Sequence, residues 1–187
     1  MKNLRVLDLC AGIGGFRAGC EILKIPDVSF DVVGFAEIDK YPKIGYRSMY
    51  GTDDELDLGD IKLLTRTDGE EFKGGFLEKS ESRSKRIEQN VPDHDILFAG
   101  FPCQPFSKSG AQEGFEDQTR GTLFHDICTL AEKHKPAVLF LENVPNLVAH
   151  DNGNTMQVIE SRIEEMGYKH WWKIISPHNY GTCQIRK

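Results

Sequence analysis

The 187-residue sequence lacks several features, and each absence excludes a class of protein. No run of about 18 apolar residues occurs, so we expect no membrane-spanning helix. The N-terminus lacks the apolar core of a signal peptide. The five cysteines form no C-x-x-C pair, so we expect neither a metal site nor a disulfide framework. Positive charge is not in excess either: the net charge of −6 argues against a free-standing nucleic-acid binder. These absences favour a globular, cytoplasmic protein of a reducing compartment.

Short apolar runs alternate with helical periodicity along most of the chain. The predicted strands are residues 4–9, 30–36, 95–99, 137–141 and 168–175. The predicted helices are residues 16–24, 41–49, 122–134 and 156–166. Strands that alternate with helices are typical of an α/β fold with a doubly wound, mostly parallel sheet. A chain of this length is sufficient for one domain with its own core.

One segment, at about residues 62–95, interrupts this alternation. Of its 34 residues from Lys62 to Asp95, 15 are charged, and glycine and serine clusters punctuate it. We interpret the segment as a solvated insertion with some helix, most simply an exposed linker. A contact with substrate is the alternative.

A glycine-rich loop follows the first predicted strand and begins the first predicted helix. Residues 10–15 read Cys-Ala-Gly-Ile-Gly-Gly, and glycines at such a point allow a tight turn and close approach of a ligand. Glu37 lies at the end of the second predicted strand, where a carboxylate can hold ribose hydroxyls. The pattern predicts a nucleoside-containing cofactor. Its G-x-G-G spacing leaves a dinucleotide and a purely structural turn as alternatives.

Two later strand ends carry side chains suited to catalysis. Cys103 follows the third predicted strand between Pro102 and Pro105, which stiffen the backbone around it. Glu142 follows directly on the apolar run 137–141. Because the carboxyl ends of parallel strands form the ligand-binding edge of an open sheet, we predict that Cys103 is a nucleophile and Glu142 a catalytic acid. For Glu142 the alternatives are a helix cap and a buried ion pair.

Taken in order, these blocks resemble those of the DNA cytosine carbon-5 methyltransferases of bacterial restriction-modification systems. The resemblance covers almost the whole chain, and the block at residues 100–107 is its most specific part. The other matching blocks are residues 8–19, Glu37-Ile38-Asp39, Gly59-Asp60-Ile61, residues 119–124, Glu142-Asn143-Val144, Asn179-Tyr180-Gly181 and Gln184-Ile185-Arg186.

The resemblance implies that the cofactor is S-adenosylmethionine rather than a dinucleotide. By this resemblance Phe16 stacks on the adenine, Glu37 holds the ribose and Asp60 binds the adenine amino group. The loop at residues 9–15 runs alongside the methionine portion of the cofactor. The implied cofactor-binding residues are Leu9, Ala11, Gly12, Gly14, Gly15, Phe16, Glu37, Ile38, Asp60, Ile61 and Leu123.

The resemblance also implies a covalent mechanism on double-stranded DNA. The Cys103 thiolate adds to C6 of a cytosine that has been flipped out of the duplex, and Glu142 binds the N3 edge of the base. Arg186 contacts the base and the region around the cysteine, and Pro102 completes the catalytic set. The loop at residues 107–121 closes over DNA, with Ser107, Lys108, Ser109 and Arg120 as the implied DNA contacts.

The resemblance stops at Lys187, where the family's last block continues. We therefore expect residues 1–187 to be a partial catalytic domain, with a sheet that is incomplete at the C-terminus and without the target-recognition region. Unpaired strand edges would favour aggregation, and the isolated chain is expected to be inactive. An incomplete sequence, a subunit that needs a complementary polypeptide and a decayed binder are the alternatives.

Two other functions stay open at this point. An RNA cytosine carbon-5 methyltransferase that acts on transfer RNA shares the Pro-Cys and Glu-Asn-Val blocks, and a non-catalytic S-adenosylmethionine-binding partner needs only the glycine loop. The resemblance favours a bacterial or phage source and DNA as the partner. Most phosphate-contacting charge is then expected in the absent region, so the net charge describes only part of the DNA-binding unit.

Overall fold

The structure is a computed structural model that describes residues 1–52, 55–66, 83–102 and 122–181, with residues 83–86 described as backbone only. The chain divides into two compact units. The first unit comprises residues 1–102 and 121–142, and the second comprises residues 103–120 and 143–187. Each unit is described by itself below.

The first unit is built on a sheet of four parallel strands. They are β1 (Lys2–Leu9), β2 (Val28–Ala36), β3 (Ile96–Gly100) and β4 (Val138–Glu142). Their order across the sheet is β2-β1-β3-β4. After β1 the chain adds β2 on one side of it, and it then crosses over to add β3 and β4 on the other side. The direction of strand addition therefore reverses between β1 and β3, and this is the switch point at which open α/β sheets bind ligands. This order confirms the predicted doubly wound α/β fold.

Five helices accompany the sheet in the described part of the first unit: α1 (Gly15–Ile22), α2 (Lys40–Tyr50), α3 (Lys62–Thr65), α4 (Arg83–Asn90) and α5 (Leu123–His134). The second unit contains α6 (Asn154–Glu165) and three short 3-10 turns at Pro145–Leu147, His150–Gly153 and Pro177–Tyr180. Within the described ranges, no helix combines the length and the apolar character that crossing a membrane requires.

One face of the sheet carries a row of large side chains from neighbouring strands. Asp8 lies beside Phe35 on one side and Phe98 on the other, and Phe98 lies beside Phe140. From α1, Phe16 stacks on Phe98 with the ring centroids 4.8 Å apart. Helix α2 covers the other end of the row, where Tyr46 stacks on Phe35 at 4.4 Å. Helices α1 and α2 therefore lie on this face.

The opposite face carries a fully buried apolar row. Leu7 and Leu97 are register partners, and neither is exposed to solvent. Helices α3, α4 and α5 contact one another and supply further buried apolar side chains of this unit, including Ile87, Ile127 and Leu130. We infer that this second group of helices covers the Leu7 face, as a doubly wound sheet requires.

The predicted strand at residues 168–175 is wrong. The backbone there forms no ladder, and among the described residues of the second unit there is no strand with which it could pair. Trp171 is 80% exposed, and the indole N–H of Trp172 donates to Glu160 of α6 at 2.8 Å. Aromatic and β-branched residues favour strands only where a neighbouring strand supplies hydrogen bonds and packing, and here neither is present.

The interpretation of residues 62–95 as a solvated insertion is wrong at both ends of the segment, whereas the helix expected within it is present as α3 and α4. Leu64 and Thr65 are buried in α3, and Ile87 and Val91 are buried in and just after α4. Charged residues are dense in this segment, but Leu64, Ile87 and Val91 belong to the core. Residues 67–82 lie outside the described part of the chain.

Candidate functional site

The carboxyl ends of all four strands meet at one edge of the sheet. The glycine loop follows β1, Glu37 follows β2, Pro102 lies two residues after β3, and Glu142 is the last residue of β4. Gly100 and Glu142 are register partners on the neighbouring strands β3 and β4. The fold thus brings the predicted cofactor loop, residues 100–102 of the predicted catalytic block and Glu142 to the same edge, where open α/β sheets bind ligands.

The glycine loop turns sharply between β1 and α1. Cys10, Gly12 and Gly14 all have left-handed backbone angles, with φ of 55°, 57° and 86°. The amide of Gly14 donates to the carbonyl of Ala11 at 2.8 Å, which closes the turn. A side chain at Gly14 would also overlap the ring of Tyr50. Both the backbone angle and the lack of space therefore require glycine at position 14.

Glu37 holds this loop from the end of β2. Its Oε2 accepts a hydrogen bond from the Gly12 amide, and its Oε1 accepts one from the Asp39 amide, both at 2.8 Å. An ionised carboxylate has about four lone-pair sites. One acceptor site on each oxygen therefore remains for a ligand with two hydroxyl groups, such as a ribose. Ile38 beside it is 71% exposed and presents an apolar surface to solvent.

Asp57 anchors the segment that leads to Asp60. It forms a β-bridge with Phe35 in β2 and accepts hydrogen bonds from Lys43 and Arg47 of α2, both at 3.0 Å. Burial raises the pKa of Asp57, but the hydrogen bonds from these cations outweigh it and hold the pKa below its ordinary value. The anchor therefore stays ionised at neutral pH and keeps Asp60 on the β2 side of the sheet.

Cys10 lies within electrostatic reach of the predicted cofactor carboxylates. Burial raises its pKa to about 12, and the negative charges of Glu37, Asp8 and Asp60 add to the effect. The Cys10 thiol therefore stays protonated at neutral pH. Of these carboxylates, Glu37 contacts the loop directly through the Gly12 amide. Among residues 1–52, 55–66, 83–102 and 122–181, no group of three or more His, Cys, Asp or Glu could hold a metal ion.

Phe16 does not join Glu37 and Asp60. Its ring stacks on Phe98 and meets Phe140 edge to face at 5.4 Å, so it lies over β3 and β4. Glu37 and Asp60 lie on the other side of β1, next to β2. The packing of Phe16 gives no support to adenine stacking, which stays a prediction. The ring instead borders the catalytic end, because a side chain added at Gly100 would lie 4.0 Å from it.

Several predicted cofactor residues can reach a ligand only through their backbone. The side chains of Leu9 and Ile61 are buried, and Ala11 packs against Phe35 and Tyr46. Leu123 begins α5 and is half-buried, while Gly15 begins α1 and is exposed. At Leu9 and Ala11 the loop therefore offers backbone amide and carbonyl groups to a ligand, whereas the side chain of Ile13 is exposed.

The catalytic end is described in part. Glu142 is exposed, and its Oε2 would lie 3.4 Å from a side chain added at Gly100, so glycine keeps the space between the two strand ends open. Pro102 is exposed at the end of the described segment. The other predicted catalytic and DNA-contacting residues lie outside the described residues; they are Cys103, Arg186, Ser107, Lys108, Ser109 and Arg120.

Asp8 is a buried acid that the sequence reasoning did not single out. Its side chain is completely buried, and neither carboxylate oxygen accepts a hydrogen bond from the described residues. Burial raises its pKa to about 7; Arg17 opposes this shift and Glu37 adds to it. The only sequence signal was an acid among the apolar residues at the end of the first strand, 6–9.

The raised pKa of Asp8 predicts a pH-dependent stability. The folded state holds the Asp8 proton more tightly than the unfolded state does. The contribution of Asp8 to the free energy of unfolding is therefore fully present below pH 4 and is lost as the pH rises through about 7. A shift of this size corresponds to about 4 kcal/mol as an upper bound. Asp8→Asn is expected to lose this slope and to unfold at a higher temperature than the wild type at pH 8. Thermal melts from pH 5 to 8 measure the pH dependence of the melting temperature, and Asp31→Asn, which replaces an exposed carboxylate of β2, is the control. Equal pH slopes in the wild type and in Asp8→Asn would contradict the raised pKa of Asp8.

The sequence profile of the C-5 cytosine-specific DNA methylases matches residues 4–187. The chain belongs to this family. The prediction made from the ordered sequence blocks is therefore confirmed.

Curated methylase relatives match the chain from end to end. The type II methyltransferase M.HhaI of Haemophilus parahaemolyticus is 38% identical over 187 residues, which is 100% of this chain and 48% of the relative. The type II methyltransferase M.NlaX of Neisseria lactamica is 40% identical over 98% of this chain and 50% of its own. The orphan methyltransferase M.Rho11sI of Bacillus phage rho11s is 36% identical over 100% of this chain and 32% of its own length. This methylase chain therefore spans half or less of the length of these relatives.

Solved structures support the methylase fold. The Schizosaccharomyces pombe Dnmt2 methyltransferase matches with a TM-score of 0.60 and 20% identity, over 95% of this chain and 44% of that one. The Entamoeba histolytica methyltransferase EhMeth matches with a TM-score of 0.61 and 19% identity, over 100% and 51%. At these identities the comparison supports the Rossmann-like methyltransferase fold.

Proposed function

We propose that this protein transfers a methyl group from S-adenosylmethionine to carbon 5 of cytosine in double-stranded DNA. The observation that supports the proposal is the register of the two strand ends that lead into the family's catalytic block and into its Glu-Asn-Val block. The block that contains Cys103 follows β3, and Glu142 ends the adjacent β4, with Gly100 and Glu142 in register. A nucleophile and an acid on neighbouring strand ends are what addition to a pyrimidine ring requires.

The described residues fit the proposed cofactor. Glu37 has spare acceptor positions for the two ribose hydroxyls, and the Oδ1 of Asp60 is occupied by the Lys62 amide while its other oxygen has no partner among the described residues. The backbone of residues 9–15 would hold the methionine portion, and Leu123 would close the pocket. When bound, the cofactor would supply an electrophilic methyl group.

The chain's own residues would carry the addition and elimination on the base. The Cys103 thiolate forms a bond to C6, while Glu142 donates a hydrogen bond to N3, so that electron density moves to C5. C5 then takes the methyl group, whose bond to the sulfonium sulfur would break so that the cofactor would leave as a neutral thioether. Loss of the C5 proton to water restores the C5–C6 double bond and expels the Cys103 thiolate, and N3 returns its proton to Glu142. Pro102 would hold the cysteine backbone, and Arg186 would contact the base.

The DNA itself would be held by the loop that contains Ser107, Lys108, Ser109 and Arg120. The methylase relatives are about twice as long as the matched region. We propose that methyl transfer also needs a counterpart of the unmatched half of these relatives, including a surface that reads the DNA sequence, whether it belongs to the same protein or to a complementary polypeptide. This protein would then be the part that binds the cofactor and carries the nucleophile.

Cofactor binding tests the proposal directly. Calorimetry with S-adenosylmethionine is expected to show binding by the chain, and Glu37→Gln is expected to raise the dissociation constant about tenfold, because a charge-assisted acceptor for the ribose is lost. Asp31→Asn is the matched control and is expected to bind as the wild type does. A folded chain that shows no binding of S-adenosylmethionine would refute the proposal.

A further inference from the structure

A cluster of side chains behind the glycine loop has no role in the proposed chemistry. It comprises Arg17 from α1, Tyr46 and Tyr50 from α2, and Glu55 from the segment that leads to Asp60; we call it the loop support. The side chain of Arg17 is 12% exposed, and its Nη1 donates to both carboxylate oxygens of Glu55, at 2.6 and 2.7 Å. A charge-assisted pair of this kind holds the guanidinium in one position.

The guanidinium in turn fixes the two tyrosine rings. It lies 4.6 Å from the centroid of the Tyr50 ring and 5.5 Å from that of Tyr46, and it donates to the Tyr46 hydroxyl at 3.3 Å. The two rings meet edge to face at 5.1 Å. Cation–π and aromatic contacts on two sides leave the Tyr50 ring little freedom to turn.

Tyr50 is the member of the loop support that reaches the glycine loop. Its hydroxyl donates to the carbonyl oxygen of Gly14 at 2.8 Å. That oxygen also accepts the Ala18 amide at 2.9 Å, the first hydrogen bond of α1. The Gly14 side of the loop is therefore held by Tyr50, whereas the Gly12 side is held by Glu37.

We propose that Tyr50 is a positioning residue that pre-forms the glycine loop for the methionine portion of the cofactor. The inference rests on the proposed function, in which Glu37 and Asp60 hold ribose and adenine and residues 9–15 pass the methionine portion. Glu37 must accept ribose hydroxyls in addition to the Gly12 amide. The Tyr50 hydrogen bond holds the glycine loop in place, and the cofactor would not compete for it. A loop that is already ordered loses less conformational freedom on binding.

The test compares two ligands that share adenine and ribose and differ in the methionine portion, including the charge on its sulfur. Tyr50→Phe removes the hydroxyl and keeps the ring, and it is expected to raise the dissociation constant for S-adenosylmethionine about 3- to 10-fold, the effect of one hydrogen bond. The constant for 5′-methylthioadenosine, which keeps adenine and ribose and lacks the amino acid, is expected to change less than about twofold. Tyr41→Phe is the matched control, because its side chain lies on the same helix and is 80% exposed. Glu55→Gln keeps the Tyr50 hydroxyl and loosens Arg17, so it is expected to show a smaller shift with the same ligand preference.

The outcomes separate the inference from the function on which it rests. Equal weakening of both ligands would mean that Tyr50 only stabilises the fold, and unchanged affinity for S-adenosylmethionine in Tyr50→Phe would also overturn the inference. If Tyr50→Phe does not fold, the ligand preference of Glu55→Gln decides. A wild-type chain that binds neither ligand would refute the proposed function itself.

Discussion

Replacement of Cys103 by serine is expected to abolish methyl transfer, with a loss of about 1,000-fold or more. The serine hydroxyl is a far weaker nucleophile than a thiolate, so addition to C6 of the cytosine fails and C5 is not activated. Affinity for S-adenosylmethionine is expected to stay within about twofold, because the cofactor residues follow β1 and β2, whereas Cys103 belongs to the block after β3. The measurement is transfer of a tritiated methyl group to DNA. The chain is mixed with the part of the Haemophilus parahaemolyticus relative that it does not match.

A second readout isolates the covalent step. In 5-fluorocytosine, fluorine replaces the hydrogen at C5 and cannot leave as that proton does, so the thiolate is not expelled. The wild type is therefore expected to form an adduct with such DNA that survives denaturing electrophoresis, and Cys103→Ser is expected to form none. Cys20→Ser, a half-buried cysteine of α1, is the control and is expected to behave as wild type. Full activity or adduct formation by Cys103→Ser would refute the nucleophile assignment. Transfer RNA assayed beside DNA distinguishes the two polynucleotide substrates.

Glu142→Gln is expected to lower the rate of methyl transfer about 100-fold or more at neutral pH. The glutamine keeps the size of the side chain and can still hydrogen-bond the base, but it cannot give a proton to N3 as the thiolate adds. Since Glu142 is exposed at the end of β4, its removal leaves no buried group unpaired, and the melting temperature is expected to change little.

The matched control for Glu142 is Asp31→Asn, an exposed carboxylate on β2 that no proposed step uses. The two variants are compared by methyl transfer at saturating S-adenosylmethionine and by thermal melting. A rate for Glu142→Gln within threefold of the control would show that the carboxyl group is not an acid in this reaction. A large loss of stability would show instead that the residue supports the fold.

Much of the fold could be predicted from the sequence. Each of the four strands of the sheet, and each helix predicted from periodicity, begins and ends within two residues of its predicted bounds. These segments follow strong local patterns, because a parallel strand buried on both faces reads as a continuous apolar run and an amphipathic helix repeats every 3.6 residues. Residues 168–175 have the same local pattern, but without a neighbouring strand they do not form a ladder.

The candidate site was predictable in its composition and less so in its arrangement. The glycine loop, Glu37 and Glu142 lie at the carboxyl edge as predicted, because a parallel sheet brings all its strand ends to one side. The position of Phe16 was not predictable. Its ring packs over β3 and β4, away from Glu37 and Asp60, since the first helix lies against that part of the sheet.

The sequence by itself determined the order of the strands and helices, the membership in the methylase family and the residue types at each strand end. These depend on local periodicity and on short motifs. Only the tertiary structure decided that the Tyr50 hydroxyl meets the Gly14 carbonyl across 36 positions of sequence, and that Arg17 pairs with Glu55 across 38. It also decided that Asp8 loses all contact with water. Such contacts arise when helices pack on a sheet, and burial is a property of the whole core, so no local pattern specifies them.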